Sequence, residues 1–308
     1  MSPTTASALR GRALAVYIFL CAIWGSTWLG IKIGLQYLPP LRFAAFRMAL
    51  ACLLLVPFAF GRGRRWPTAH ERTFIVIAGF LQIGLFYALI FVAQQWVESG
   101  FSALLFATFP ICAGVFAHYL LPNEPLTRRT LSAAGLGLAG VALMQGPAVS
   151  RALQSDFGAL VRGGGLVFLA AIVSAFASVL VKKHLGRVDP PLNVWAETLV
   201  GSALLLPLAA IVERGRPSQW TPAAVGALAY LAIFGTAFTF VGLFWLIKRV
   251  PISVVSTIPL VDTMIAVVLG AIVLGERLPA RTLAGGAFIL LGVVLAARVS
   301  RVEVAAGA

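Results

Sequence analysis

The sequence predicts an all-α integral membrane protein, with ten transmembrane helices arranged as two inverted-topology repeats of five. Three observations predict it. Apolar runs of bilayer length follow one another along nearly the whole chain, the second half echoes the first, and each half holds an odd number of runs. Of 308 residues, 60% are hydrophobic and 11% charged, against roughly 25% charged in a soluble domain. A helix needs about 20 apolar residues to cross a hydrocarbon core. The runs are continuous, whereas barrel strands alternate over about 10 residues, so helices are expected.

A short N-terminal segment, 1–12, carries Arg10 and Arg12 and is followed by the first run, 13–35. That run continues as "WGSTWLGIKIG" without a convincing cleavage site and reads as a retained span. Spans 41–60, 73–95, 99–121 and 128–145 complete a first half, 13–145. A linker, 146–158, leads to the second half, 159–297, with spans 159–183, 191–212, 222–246, 252–274 and 280–297. Residues 298–308 form a tail. The links are short and rich in Pro, Gly and Arg, leaving no room for a soluble domain.

The net charge of +14 raises nucleic acid as a partner, but the distribution of the basic residues argues against one. With both termini on the cytoplasmic side, inner segments hold fifteen Lys and Arg and outer links hold six, the other three lying in or beside the first two spans. An inner excess of this kind sets orientation, so the charge reports topology. Cys21, Cys52 and Cys112 all fall in apolar runs without a CxxC spacing. They read as small buried hydrophobes, with no metal and no cofactor expected.

The halves correspond residue by residue. An offset of 151 carries Lys32 to Lys183, Pro39–Pro40 to Pro190–Pro191, Gly84 to Gly235 and Ser102 to Ser253. At 152, "GVAL" (140–143) meets "GVVL" (292–295), and Glu124, Leu126, Arg129, Thr130 and Leu131 meet Glu276, Leu278, Arg281, Thr282 and Leu283. A repeat of half the chain is an architectural signal. Because each half has five spans, the second enters the membrane from the opposite face, as in many carriers whose substrate path lies between the halves.

Three stretches carry a family resemblance: "AIWGSTWLGIKIGL..LPPLRFAAFRMALA", "LPNEPLTRRTLSAAGLGLAGVAL" and "VLGERLPARTLAGGAFILLGVVL". They resemble EamA-type repeats of the drug/metabolite transporter superfamily, and the likeness covers essentially residues 13–297. It implies a ten-helix carrier of small metabolites, most similar to YddG-type exporters of amino acids. The ninth span departs from the simple pattern, since fourteen residues before each Glu stand Pro110 in the fourth span and Asp262 in the ninth.

Polar residues inside the spans nominate a pore. Asp262, with Thr263 beside it, sits mid-span, where a carboxylate costs about 3 kcal/mol and must face the bundle interior. It is a candidate to bind an ammonium group or couple transport to protons; Glu197 in "NVWAETLVG" is a pore candidate and the second coupling candidate. Gln82, Tyr87 and Gln94 share one side of the third span. Trp24, Ser26 and Thr27 add polar and aromatic groups from the first, Trp195 from the seventh, and Thr236, Thr239 and Trp245 from the eighth. Rings with amides and hydroxyls suit a small amphipathic solute; Trp24 and Trp195 also fit interfacial anchoring. Arg47 resembles an arginine frequent in second spans of this family, which implies a structural bond to backbone carbonyls. Gly30 and Gly34 form a GxxxG packing face. Glu124 and Glu276 read as scaffold, capping the following helix or pairing with nearby arginines.

The leading function is therefore a secondary transporter of amino acids or related metabolites, embedded in a bacterial-type inner membrane, as a monomer or a dimer. A drug/cation or nucleotide-sugar-like carrier is the alternative within transporters. An intramembrane enzyme is the first rival outside them. "HERTF" (70–74) lacks the second His of a zinc-protease motif, and "GFSAL" (100–104) resembles half of a serine elbow with His118 the one His in a span. No Walker A sequence is present. A membrane-embedded sensor or scaffold is the second rival.

Overall fold

A computed structural model of the chain describes residues 3–61, 64–97, 99–154, 156–274 and 279–306. Among these, nine helices are long and apolar enough to cross a bilayer, and Arg128–Met144 taken together with Gly146–Leu153, bent from it by 72°, makes a tenth. The spans are numbered α1 (Pro3–Gly34), α2 (Pro40–Ala59), α3 (Ala69–Ala93), α4 (Phe101–Leu120) and α5 (Arg128–Met144) in the first half. The second half holds α6 (Phe157–His184), α7 (Pro190–Val212), α8 (Pro222–Ile247), α9 (Ile252–Val255 continued by Ile258–Leu274) and α10 (Ala280–Ala306). Helix extends past three expected boundaries. It begins at Pro3, occupies much of the 146–158 link, and runs on beyond residue 297 to Ala306. Hydropathy marks where a helix leaves lipid, which is not where its hydrogen bonding stops.

Local chemistry fixes most helix starts. Thr68 and Glu71 form a capping box on α3, while Thr127, Asp156 and Thr221 accept first-turn N–H groups of α5, α6 and α8. Proline opens α2, α7 and α8, where its missing N–H costs nothing. The start of α2 is also bound from a distance, because the Glu213 carboxylate at the end of α7 accepts the N–H groups of Leu41 and Arg42 at 2.8 and 2.7 Å.

The packing obeys the repeat. α1 lies against α8 and α9, and α6 against α3 and α4; α2 runs along α7, and α5 along α10; α3 packs on α7 as α8 packs on α2. Exchanging each helix for the one five places away leaves this neighbour list unchanged, which is the two-fold relation of an inverted repeat. Small residues make the closest seam. A Cβ added to Gly140 of α5 would lie 2.5 Å from the Gly285 carbonyl of α10. The α1 GxxxG is likewise filled from within the chain: Gly34 faces the Phe43 ring and Gly30 faces Leu231 of α8.

Both third helices widen from α to π geometry, over Gly79–Leu85 in α3 and Ile233–Phe238 in α8. The 151-residue offset takes Gly84 of one segment to Gly235 of the other. A π turn frees backbone groups from the α pattern and is frequent at functional positions.

The helix ends define two faces, each named here for a carboxylate. On one, Glu213 binds the start of α2 and the Arg42 guanidinium reaches the carbonyls of Glu213 and Arg216. On the other, Glu124 accepts Lys182 Nζ at 2.6 Å and the Ile252 N–H at 2.6 Å. The expectation that Glu124 caps α5 or pairs with a neighbouring arginine is thus corrected. Thr127 already occupies the cap, and the extended 121–127 link carries Glu124 across to α6 and α9 of the other repeat. Its counterpart Glu276, with Leu278, lies outside the described residues.

Candidate functional site

Where the two repeats meet, α1, α2, α3, α4, α6, α8 and α9 enclose a cavity of about 150 Å³. Much of its wall is aromatic, including Trp24, Phe86, Phe91, Phe106, Phe109 and Phe240. Phe86 packs against both Tyr87 and Phe106, and Trp24 meets the edge of Phe240. Rings held by one another present a pre-formed apolar surface, which suits a ligand with a hydrophobic side chain.

Set into that wall are polar atoms without protein partners. Gln82 Oε1, Gln94 Nε2 and Ser102 Oγ are buried and unpaired, and all three residues line the cavity. A buried polar atom left without a partner costs about 1–3 kcal/mol, so three around one cavity mark a place where a solute or water completes the bonding. Asp262, 9% exposed, adds a carboxylate. Its neighbour Thr263 spends its hydroxyl on the Pro259 carbonyl at 2.8 Å and lies 3.4 Å from Asp262 Oδ1. No ion pair neutralises Asp262 among the described residues. Gly25 of α1 lets this helix approach: a Cβ there would fall 2.9 Å from the Asp262 carbonyl.

Arg47 supplies the opposite charge, 2% exposed on the cavity wall. Its guanidinium donates to Thr236 Oγ1 and to the Gly235 carbonyl, both at 2.8 Å, and lies 5.2 Å from the Tyr87 ring centroid. Gly235 and Thr236 belong to the π segment of α8, and Trp24 Nε1 reaches the same Gly235 carbonyl at 3.2 Å. Thr236 in turn donates to the Leu231 carbonyl five residues back, at 3.0 Å. The carbonyls loosened by π geometry are therefore held by side chains from α1, α2 and α8 itself. The expected structural bond of Arg47 to a carbonyl is present, and the residue also belongs to the cavity wall.

The profile of the EamA-like transporter family matches residues 12–145 and again residues 161–298. This chain belongs to the EamA-like transporter family. Full-length relatives of this EamA-like transporter bear transporter names. YoaV of Bacillus subtilis, an uncharacterized transporter, is 27% identical over 90% of this chain and 94% of its own length. YvbV of the same organism is 29% identical over 96% and 95%. YedA, an uncharacterized inner membrane transporter of Escherichia coli, is 28% identical over 88% and 84%. One solved crystal structure superposes with a TM-score of 0.78 over 95% of this chain and 99% of that one; at 18% identity the likeness is of fold.

In this EamA-like transporter the cavity gathers Trp24, Thr27, Gln82, Tyr87, Gln94, Asp262 and Thr263 from the residues nominated by sequence. Others lie elsewhere. Ser26 bonds the Tyr230 hydroxyl at 2.5 Å, on the α1–α8 seam. Trp195 packs on Phe60 with ring centroids 4.6 Å apart, between α2 and α7. Thr236 and Thr239 are fully buried behind the wall, the former serving Arg47. Trp245 lies beneath the Arg249 guanidinium at 4.2 Å, at the Glu124 face. Glu197 is fully buried on α7, accepting from Asn193 Nδ2 at 2.8 Å, with Gly79 of the α3 π segment against its backbone. Each sits on a helix that borders the cavity or its neighbours but turns its side chain to another seam, which polarity alone does not reveal.

Ser174 and Ser178 of α6 line the cavity without having been nominated. The repeat held the signal for one of them, since the 151-residue offset takes Thr27 to Ser178. The rival enzyme motifs come apart in space. His118 accepts the Leu126 N–H at 3.2 Å and serves its own loop, while Ser102 Oγ is unpaired. His70 contacts His184, and Glu71 caps α3 while binding Arg65.

Proposed function

We propose that the chain is an amino acid exporter, moving small amphipathic amino acids or close relatives by alternating access through the cavity between its repeats. The observation that carries this reading is the Asp262 carboxylate, which has no ion pair among the described residues, beside the unpaired Gln82 Oε1, Gln94 Nε2 and Ser102 Oγ in an aromatic enclosure. The carboxylate suits an ammonium group, the amides and hydroxyl suit the remaining polar atoms, and the rings suit an apolar side chain. The resemblance to amino acid exporters supports the direction. The fifteen-to-six distribution of basic residues supports a Glu124 face on the cytoplasmic side, with both termini there, in the bacterial cytoplasmic membrane. Asp262 is also the coupling candidate on the cavity wall.

The test is counterflow in proteoliposomes with a panel of aromatic, aliphatic and cationic amino acids and non-amino-acid cations. Saturable exchange of an amino acid, lost in Asp262→Asn, is expected. Exchange restricted to cations lacking a carboxylate refutes the amino acid assignment. A wild-type rate in Asp262→Asn from pH 5 to pH 8 removes the binding and coupling roles given to that residue.

A further inference from the structure

On the Glu124 face a second crevice, of about 350 Å³, opens between the links that follow α2, α6 and α8. It is separate from the substrate cavity and shares none of its wall. Arg64, Arg65, Arg187, Lys248 and Arg249 line it, with Asp189 as the one carboxylate on the wall. Arg64 Nε lies 3.3 Å from Asp189, and Arg65 is bound by the Glu71 carboxylate. Arg187, Lys248 and Arg249 have no ion pair among the described residues. Three cations without an ion-pair contact among the described residues therefore line one concavity.

Two of the three are held in place, and Arg187 is exposed at the rim. Arg249 is spread over the Trp245 ring and donates to the Trp245 carbonyl at 2.9 Å. Lys248 Nζ is bound by the Val188 carbonyl, which pins the end of α8 to the start of α7. Arg64 Nη1 is buried and has no acceptor, so the crevice contains a charged donor waiting for an oxygen. α7 begins at Pro190 on this wall and adds the positive end of a 23-residue helix. Guanidinium groups fit phosphate oxygens two at a time, and ammonium groups add point charge.

We propose that this crevice binds the phosphate of an acidic phospholipid headgroup, clamped by Arg187, Lys248 and Arg249. The chemistry is that of any phosphate, and position selects the lipid. The site lies at the ends of membrane helices, beside a tryptophan of the kind that sits at headgroup depth, where basic pockets between helices attract acidic lipids. The site would tie the first repeat, through the α2–α3 link, to the second through the α6–α7 and α8–α9 links. Lys248 gives the site a pH signature. Burial above all pushes its ammonium down to about 8, with Arg249 lowering it further and Asp189 and Glu71 opposing. A bound phosphate favours the charged lysine, so binding weakens as pH rises through this value.

The experiment is native mass spectrometry of the detergent-purified full chain, titrated with phosphatidylglycerol or phosphatidylcholine of matched acyl chains. The wild type is expected to prefer phosphatidylglycerol by about tenfold, and the triple variant Arg187→Gln, Lys248→Gln, Arg249→Gln to lose that preference. From pH 7 to pH 9 the wild-type preference falls about threefold, whereas Lys248→Arg, charged throughout, holds it. A monodisperse size-exclusion profile of each variant separates lost binding from lost fold, and if the triple variant fails it, Arg187→Gln alone carries the test with a loss of about fivefold. Equal binding of both lipids by the wild type, or full preference in a folded variant, overturns the proposal. Displacement of phosphatidylglycerol by millimolar inorganic phosphate, with equal thermal stabilisation by either, assigns the site to a soluble phosphate and overturns the lipid.

Discussion

Ile31 of α1 and Lys182 of α6 hold equivalent places, 151 residues apart, in opposite surroundings. Ile31 lines the cavity. Lys182 is bound by Glu124 at 2.6 Å and by the Val250 carbonyl at 2.5 Å. Gln94 and Trp245 form a second such pair: Gln94, at the end of α3, lines the cavity with an unpaired amide nitrogen, whereas Trp245, at the end of α8, lies under Arg249. The cavity thus extends toward the Glu213 face through the first repeat, and the matching route toward the Glu124 face is filled by one ion pair and one cation–π contact. A repeated scaffold supplies two potential routes, and the side chains in which its copies differ decide which is filled.

The comparison is most sharply tested at Asp262, which has Pro110 as its counterpart in the first repeat. Asp262→Asn is expected to lower counterflow about a hundredfold, the cost of losing a buried charge contact of roughly 3 kcal/mol. An unchanged rate places the functional asymmetry elsewhere.

Arg47 is next, since the equivalent position on α7 is Thr198. Arg47→Ala removes two charged hydrogen bonds to the α8 π segment and should destabilise the protein by about 3 kcal/mol in reversible unfolding in detergent micelles. Arg47→Lys, which cannot reach both acceptors with a planar fork, should recover less than half of that loss.

The Glu124–Lys182 ion pair comes third. Glu124→Gln is expected to raise the labelling of a Ser178→Cys probe from that face about fivefold, by releasing Lys182 and the start of α9, a change of about 1 kcal/mol. The charge swap Glu124→Lys with Lys182→Glu should restore only the share of protection that the ion pair supplies, because an ammonium cannot accept the Ile252 N–H. Labelling that stays low in both variants means that packing, not charge, closes the route.

The smallest effect concerns the unpaired atoms. Ser102→Ala removes a buried hydroxyl without a partner and should stabilise the protein by about 1 kcal/mol while weakening substrate binding several-fold. Loss of stability with unchanged binding would show that Ser102 serves packing.

How far the sequence reaches is clear from particular residues. Span count and pseudo-symmetry were legible because hydropathy and a 151-residue offset are properties of the chain read in order. Asp262 and Gln82 were legible because lipid makes an isolated polar group expensive wherever it stands. Glu197 and Trp195 look equally eligible by that criterion, yet they turn to seams behind the cavity. Ser174 and Ser178 look unremarkable among alanines and valines, yet they face it.

The sequence by itself determined an EamA-type membrane protein of two odd-numbered repeats, because bilayer thickness and helix rise translate composition directly into spans. The tertiary structure decided which faces of those spans meet, and so which polar side chains share a cavity. It also decided that Glu124 reaches across to the other repeat rather than capping its own. Those outcomes depend on helix rotation and on contacts between residues more than a hundred positions apart, which no local pattern encodes.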